Sequence, residues 1–194
     1  MPDSSPVFDR ATLERAFERL GELAAAANKR IDISVYGGSA LVLATDFRVS
    51  TQDIDAVFEE DRPFIRRAAQ IVSEEFGWPE TWINDSVKGF LSKRDTDPEA
   101  KSLFRSYPGE TGPGVRVFLA TPAYLFAMKC LAMRTAGAEN ATDIDDIRQL
   151  GAVLRIGNAA DALKIVMRYY PEGRLSPKTR FGIDEIFGSR TKDE

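Results

Sequence analysis

The stretch between residues 31 and 58 constrains the fold more than any other, because it prescribes a strand, a tight turn, a short helix and a second strand in immediate succession. Residues 31–36 alternate apolar and polar side chains, a pattern typical of a strand. Gly37-Gly38-Ser39 follows as a turn, and the apolar residues 40–44 predict a short helix. Residues 53–58 predict the second strand, so the stretch indicates a core that mixes sheet and helix.

Asp53 and Asp55 place two like charges on one face of that second, otherwise apolar strand. A solvated sheet edge is the ordinary explanation of such a pair, but Asp suits strands poorly and like charges repel unless a cation or proton neutralises them. Mg²⁺, or Mn²⁺ in its place, neutralises carboxylates through oxygen ligands and accompanies triphosphates. Gly37, Gly38 and Ser39 begin a helix, and the free backbone amides at a helix N-terminus suit a phosphate. The glycine turn and the aspartate pair therefore predict a single site for a phosphate and its cation.

Helices are predicted on both sides of this stretch. Asp9 is a typical N-cap for a helix before it, and Asp61 begins a helix after it. Residues 96–114, which are rich in Gly and Pro, predict a long loop, and residues 115–120 predict a third strand. Four further helices are predicted to begin at Thr121, Thr142, Asn158 and Ser176.

These elements predict an α/β (α+β) fold with a small mixed sheet and flanking helices. The chain has 194 residues, 43% of them hydrophobic, which is enough to bury a substantial core. We expect a core domain over residues 1–120 and a helical C-terminal part over residues 121–194 that packs on it.

The composition excludes several kinds of chemistry. The chain contains no histidine, so catalytic triads and metal sites that use His are excluded, and an oxygen-ligated cation is favoured over zinc. Cys130 is the single cysteine and forms no internal disulfide; together with the absence of an apolar leader, this predicts a cytoplasmic location. No run of eighteen apolar residues occurs, so we expect no membrane partner.

The order of a hydrophobic strand, Gly-Gly-Ser, thirteen residues and Asp-Ile-Asp resembles the nucleotidyltransferase superfamily typified by DNA polymerase β. The resemblance covers residues 35–58. It implies a nucleotidyltransferase core that transfers a nucleoside monophosphate (NMP) from a nucleoside triphosphate (NTP). In that role Gly37, Gly38 and Ser39 would contact the triphosphate, while Asp53 and Asp55 would be catalytic and hold Mg²⁺.

A second segment, residues 129–150, resembles the Lys-x-x-Ala … Arg … Asp-h-x-Asp-h pattern of AbiEii- and MenT-like toxin nucleotidyltransferases and allied bacterial families. The match extends to Arg48 and Thr51 in an R-x-x-T-x-D-I-D arrangement and, less specifically, to residues 82–90. It implies that Arg48, Thr51 and Lys129 bind the nucleotide.

The same resemblance implies that Asp143 and Asp146 act near the attacking hydroxyl. The residue types alone also allow simpler, structural roles in this segment. Lys129, inside an apolar helix, needs an anion or extends its ammonium to solvent. Asp143 would stabilise the dipole of a helix that began at Thr142 without any catalytic task.

One departure from the superfamily pattern concerns a third carboxylate, which usually lies on the strand after the aspartate pair. The predicted strand over residues 115–120 offers Arg116 instead. Either Asp143 or Asp146 replaces the missing acid, or the domain binds nucleotide without efficient turnover.

Three functions therefore remain in view. The first is the toxin of a toxin–antitoxin system, which transfers NMP to tRNA or protein and has a cognate antitoxin protein as partner. The second is a catalytically reduced antitoxin or regulatory binding protein, and the third is NMP transfer to a small molecule such as an aminoglycoside.

A basic cluster in the C-terminal part is the candidate surface for a tRNA acceptor. Within residues 164–180 five basic residues stand against Glu172 alone, although the whole chain has a net charge of −4. An ordinary solvated helix surface is the alternative, because acids from other segments can neutralise the cluster. The five residues are Lys164, Arg168, Arg174, Lys178 and Arg180.

Overall fold

The computed structural model describes residues 7–58, 60–133 and 138–188, with only the backbone described for residues 138–140. Within these ranges there are seven α-helices: α1 Arg10–Ala26, α2 Gly37–Ala44, α3 Arg62–Phe76, α4 Pro122–Ala132, α5 Ala138–Val153, α6 Ala159–Tyr169 and α7 Pro177–Phe187. The strands are β1 Arg30–Val35, β2 Ile54–Val57, β3 Ile83–Asn84, β4 Lys101–Tyr107 and β5 Gly114–Ala120. The predicted fold class, a small mixed sheet with flanking helices, is confirmed.

The five strands form one sheet in the order β3-β2-β1-β5-β4. β1 runs antiparallel to β2 and parallel to β5, while β2 is parallel to β3 and β4 is antiparallel to β5. α1 packs against β5, and its side chains Leu13, Phe17 and Leu20 are fully buried. The central strands β1 and β5 are therefore covered by an amphipathic helix, as their apolar residues require.

The chain divides into two compact units. The first unit comprises Met1–Gly89 and Lys101–Ala120 and contains the whole sheet, and the second comprises Phe90–Ala100 and Thr121–Glu194. In the second unit, α4 packs against α5, α6 and α7. The backbone amide of Ser92 donates to Tyr124 Oη at 2.8 Å, which ties the short segment Phe90–Ala100 to α4.

Two predictions about the elements are wrong. Residues 96–114 are not one long loop, because β4 occupies Lys101–Tyr107, and of the Pro and Gly residues that indicated a loop only Pro98 precedes this strand. Thr142 does not begin a helix, because α5 begins at Ala138 and passes through it. Asp143 is consequently outside the first turn, and the explanation that it stabilises a helix N-terminus is excluded.

None of the helices in the described residues combines the length and the apolar character that crossing a bilayer requires.

Candidate functional site

The pairing of β1 with β2 brings the glycine turn against the aspartate pair. Val35, the last residue of β1, lies opposite Ala56, and the Tyr36 amide donates to the Asp55 carbonyl at 2.9 Å. α2 begins at the next residue, Gly37, so the N-terminus of this helix meets the beginning of β2. The amides of a first helical turn have no acceptor within the helix, and the positive end of the helix dipole favours a carboxylate beside it.

Gly37 brings the backbone of the α2 N-terminus close to the Asp55 carboxylate. A Cβ atom on this residue would lie 2.4 Å from Asp55 Oδ2, closer than any real contact, and Gly37 has a φ of +58°. Both conditions oppose a side chain here, because the left-handed region disfavours L residues and a Cβ would displace the Asp55 carboxylate from its position. The glycine therefore sets the distance between the α2 N-terminus and Asp55.

Gly38 lies just as close to the segment that contains Arg48 and Thr51. A Cβ on Gly38 would lie 2.6 Å from Thr51 Oγ1 and 3.5 Å from Arg48 Nη2. Arg48 Nε donates to the Ser50 carbonyl at 2.9 Å, which turns the guanidinium back toward its own loop. A hydroxyl, a guanidinium and the amides of a helix N-terminus therefore lie together, a set of donors that suits phosphate oxygens.

Phe8 anchors the loop between α2 and β2 at Thr51. Its amide donates to the Thr51 carbonyl at 2.8 Å, and the Thr51 amide donates back to the Phe8 carbonyl at 3.0 Å. Phe8 is fully buried, with its ring edge-on to Trp78 at 4.9 Å between centroids. The segment before α1 thus holds Thr51 in place beside Gly38.

The side chain of Ser39 points inward. It is 1% exposed, and its hydroxyl donates to the Tyr36 carbonyl at 3.0 Å. The Ser39 hydroxyl therefore closes the first turn of α2, and the group that this residue can offer to a phosphate is its backbone amide. Its contact with a triphosphate stays a prediction.

Asp53 lies directly before β2, half-buried like Asp55. Its Oδ2 accepts a hydrogen bond from Asn84 Nδ2 at 2.8 Å, and Asn84 is the register partner of Asp55 on the parallel strand β3. Asn84 was not among the sequence-predicted site residues. Its only signal was its place in the segment of residues 82–90, since a strand of two residues has no periodicity to detect.

Asn84 also changes the question of the missing third carboxylate. The strand that follows the aspartate pair along the chain, and lies next to it in the sheet, is β3 and not β5. Arg116 on β5 lies opposite Asp32 of β1, and its Nε donates to Asp32 Oδ1 at 2.6 Å. Arg116 therefore has a partner of its own, and the residue beside the pair is an amide rather than an acid.

The two carboxylates and their surroundings fit a hard divalent cation that arrives with phosphate. No cluster of three or more Asp, Glu, His or Cys side chains suitable for a metal occurs among the described residues. Asp53 and Asp55 would hold Mg²⁺ through carboxylate oxygens, and phosphate oxygens and water would complete its shell, which is how Mg²⁺ is commonly held in proteins.

Lys129, Asp143 and Asp146 come together in the second unit. Lys129 Nζ lies 2.7 Å from Asp143 Oδ1 and 2.9 Å from Asp146 Oδ2. The three side chains are 16%, 20% and 3% exposed, so the lysine does not extend to solvent and its counter-anions belong to its own chain. The predicted site residues thus form two groups, one in each unit, and the first contains Gly37, Gly38, Ser39, Arg48, Thr51, Asp53 and Asp55.

Cys130 follows Lys129 but offers no chemistry. It is fully buried, and burial alone raises the pKa of its thiol well above the ordinary range. A thiol of this kind is a small core residue rather than a nucleophile.

The basic cluster is largely neutralised by neighbouring acids. Lys164 pairs with Asp161 at 2.9 Å and Arg180 with Glu172 at 2.8 Å. A third ion pair joins Arg168 to Glu99. Arg174 donates to the Leu91 carbonyl at 3.1 Å. These contacts favour the ordinary solvated surface as the explanation of the cluster.

None of the known protein families, curated proteins or solved structures with which the chain was compared matches it.

Proposed function

We propose that this chain is a Mg²⁺-dependent nucleotidyltransferase that transfers NMP from an NTP to a tRNA or protein acceptor, as the toxin of a toxin–antitoxin system. The observation that carries the proposal is the contact between Gly37 and Asp55. It joins a helix N-terminus, which suits phosphate, to a carboxylate that suits a cation, and both groups are needed to bind a metal–triphosphate.

The site residues of the first unit have separate tasks in this proposal. The amides at the start of α2, with Arg48 and Thr51, bind and orient the phosphates. Asp53 and Asp55 would hold the cation, which would supply positive charge against the phosphates. Orientation of the triphosphate by several fixed groups lowers the entropic cost of bringing the acceptor into line.

In the transfer, the acceptor hydroxyl oxygen forms a bond to the α-phosphorus of the NTP while the bond to the bridging oxygen breaks. Pyrophosphate leaves with the electron pair of the broken bond, and a base takes the hydroxyl proton. The family resemblance implies that Asp143 and Asp146 act near this hydroxyl and that Lys129 binds triphosphate. In the second unit these three residues form one ion-paired cluster. Substitutions of Lys129, Asp143 and Asp146 are therefore tested separately from those of the first unit.

A nucleotide-binding protein without efficient turnover is the second candidate. It is favoured by Asn84, because an amide beside the aspartate pair can neither ligate a cation as a carboxylate does nor accept a proton. Such a protein would bind Mg²⁺–NTP and transfer nothing.

Labelled nucleotides separate the two candidates. The full chain is incubated with each of the four α-labelled NTPs, Mg²⁺ and a bacterial cell extract, and the products are treated with nuclease or protease. We expect label in RNA or protein, and we expect Asp53→Asn or Asp55→Asn to reduce it at least about a hundredfold.

Asp46→Asn is the matched control, because Asp46 is an exposed aspartate between α2 and β2. It should label at the rate of the unsubstituted chain. Nucleotide binding without any labelled product would favour the binding protein, and the absence of both would refute the proposed function.

A further inference from the structure

We propose that Asn84 is a positioning residue of this site, whose side-chain amide holds Asp53 in one orientation toward a divalent cation. The inference rests on the proposed function, since the cation is the one that would accompany the triphosphate. It concerns a residue that acts through Asp53 and need not touch the nucleotide itself.

Both ends of the Asn84 amide have a partner. Nδ2 donates to Asp53 Oδ2 at 2.8 Å, and Oδ1 accepts from the Ser86 backbone amide at 3.0 Å. The Ser86 amide can only donate, so it must face the oxygen of Asn84, and this assigns the NH₂ group to Asp53. The parallel pairing of β3 with β2 fixes the backbone of Asn84 beside Asp55. The amide is therefore held by backbone on one side and presents a single donor on the other.

This arrangement selects one oxygen of Asp53. Oδ2 accepts from Asn84, which leaves Oδ1 as the oxygen better placed for a cation. A carboxylate that accepts a fixed N–H bond rotates less about its terminal torsion, so less conformational entropy is lost when the cation binds.

The neutrality of the amide suits this task. Lysine or arginine in the same place would supply the positive charge that the aspartate pair otherwise takes from a cation. Aspartate would add a third like charge and would require a cation to be stable. Asparagine steadies Asp53 and leaves the net charge of the pair to the metal.

Two substitutions at position 84 should change metal binding in opposite directions. Asn84→Leu removes the donor and adds no charge, so the affinity for Mn²⁺ in the presence of tripolyphosphate should fall by about tenfold or more. Asn84→Asp keeps an acceptor for the Ser86 amide but places a carboxylate against Asp53. Without divalent cation this variant should melt below the unsubstituted chain, and Mn²⁺ should raise its melting temperature by more than it raises that of the unsubstituted chain.

The assay is a Mn²⁺ titration followed by electron paramagnetic resonance, together with thermal melts with and without Mn²⁺ on the full chain. Tripolyphosphate is the probe because all NTPs share it, and its binding in EDTA reports the phosphate groups alone. Ser86→Ala is the control, because its backbone amide still bonds to Asn84 while its side chain is removed.

The expected result is that Asn84→Leu loses the Mn²⁺-dependent affinity and keeps the affinity measured in EDTA. Equal loss of both affinities would assign Asn84 a merely structural role and overturn the inference. Equal Mn²⁺-induced shifts in both variants and the unsubstituted chain would also overturn it, with the proposed function left standing. If the unsubstituted chain binds no Mn²⁺–tripolyphosphate, the proposed function and this inference fail together.

Discussion

Gly37→Ala tests the contact between the α2 N-terminus and Asp55 most directly. The methyl group would lie 2.4 Å from Asp55 Oδ2, and Gly37 has a φ of +58°. The left-handed conformation costs an Ala residue about 1 to 2 kcal/mol. The steric conflict itself adds little to this cost, because the atom that is struck is the end of a flexible side chain, which can rotate away. Rotation of Asp55 removes its carboxylate from the cation site, so the damage should appear in binding more than in stability.

Gly77→Ala is the matched control for this substitution. Gly77 ends α3 with a φ of +67°, and a Cβ there would have no heavy atom within 4 Å. It therefore carries the same backbone penalty without the contact to Asp55. Both variants should lose about 1 to 2 kcal/mol of unfolding free energy, which corresponds to roughly 2–4 °C of melting temperature per kcal/mol.

The two variants should differ in nucleotide binding. Urea denaturation gives the stability, and calorimetry with Mg²⁺ and a non-hydrolysable NTP gives the affinity. Gly37→Ala should weaken Mg²⁺-dependent affinity by about tenfold or more, and Gly77→Ala should leave it unchanged. Unchanged affinity in Gly37→Ala, or equal loss in both variants, would refute the reasoning.

Three other substitutions or treatments test the second unit. Lys129→Met leaves two poorly exposed carboxylates without their counter-charge, so it should lower the free energy of unfolding by about 3 kcal/mol. Replacing both Asp143 and Asp146 by Asn in the same chain should restore most of this loss, as measured by urea denaturation. Because Asp161 and Glu99 already pair with Lys164 and Arg168, Lys164→Glu with Arg168→Glu should leave RNA labelling at physiological salt and NTP affinity unchanged; a steeply salt-dependent loss of RNA labelling would instead assign this surface to the acceptor. Because burial raises the pKa of the Cys130 thiol, an aromatic disulfide reagent should react with it only as fast as the unit opens, and rapid reaction of the native chain would contradict its burial.

Helix beginnings were predictable wherever one residue caps its own helix. The side chains of Asp9, Asp61, Asn158 and Ser176 each accept from the backbone amide three residues onward, so all four predicted starts are confirmed. Capping is decided within one turn of chain, and the local sequence contains what it requires. The predicted start at Thr142 is wrong because the four residues before it, Ala-Glu-Asn-Ala, are already helical and place the start of α5 at Ala138.

Strands depended on a partner that the local sequence does not reveal. β4 was missed because this edge strand, followed by a Gly- and Pro-rich connection, is stabilised by its pairing with β5 and has only weak alternation of its own. β3 consists of two residues, and only its parallel pairing with β2 makes it a strand. Asn84 was missed for this reason, although the aspartates next to it were identified.

The sequence by itself singled out most of the residues that the structure brings together at the candidate site. Gly37, Gly38, Asp53 and Asp55 were recognisable because glycine after a strand and alternating acids are local patterns with a physical reason at each position. Their separation along the chain determined that a helix lies between them, and the absence of histidine determined that oxygen ligands would form any cation site.

Tertiary structure alone decided what these residues contact. The antiparallel register of β1 and β2 placed Gly37 against Asp55, and a shift by one residue would have turned both aspartates to the opposite face of the sheet. The packing of α4 with α5 supplied Lys129 with two carboxylates from its own unit, where the sequence indicated only that an anion was needed. Register and helix packing are determined by contacts between segments distant in the chain, so no local pattern could specify which atoms meet.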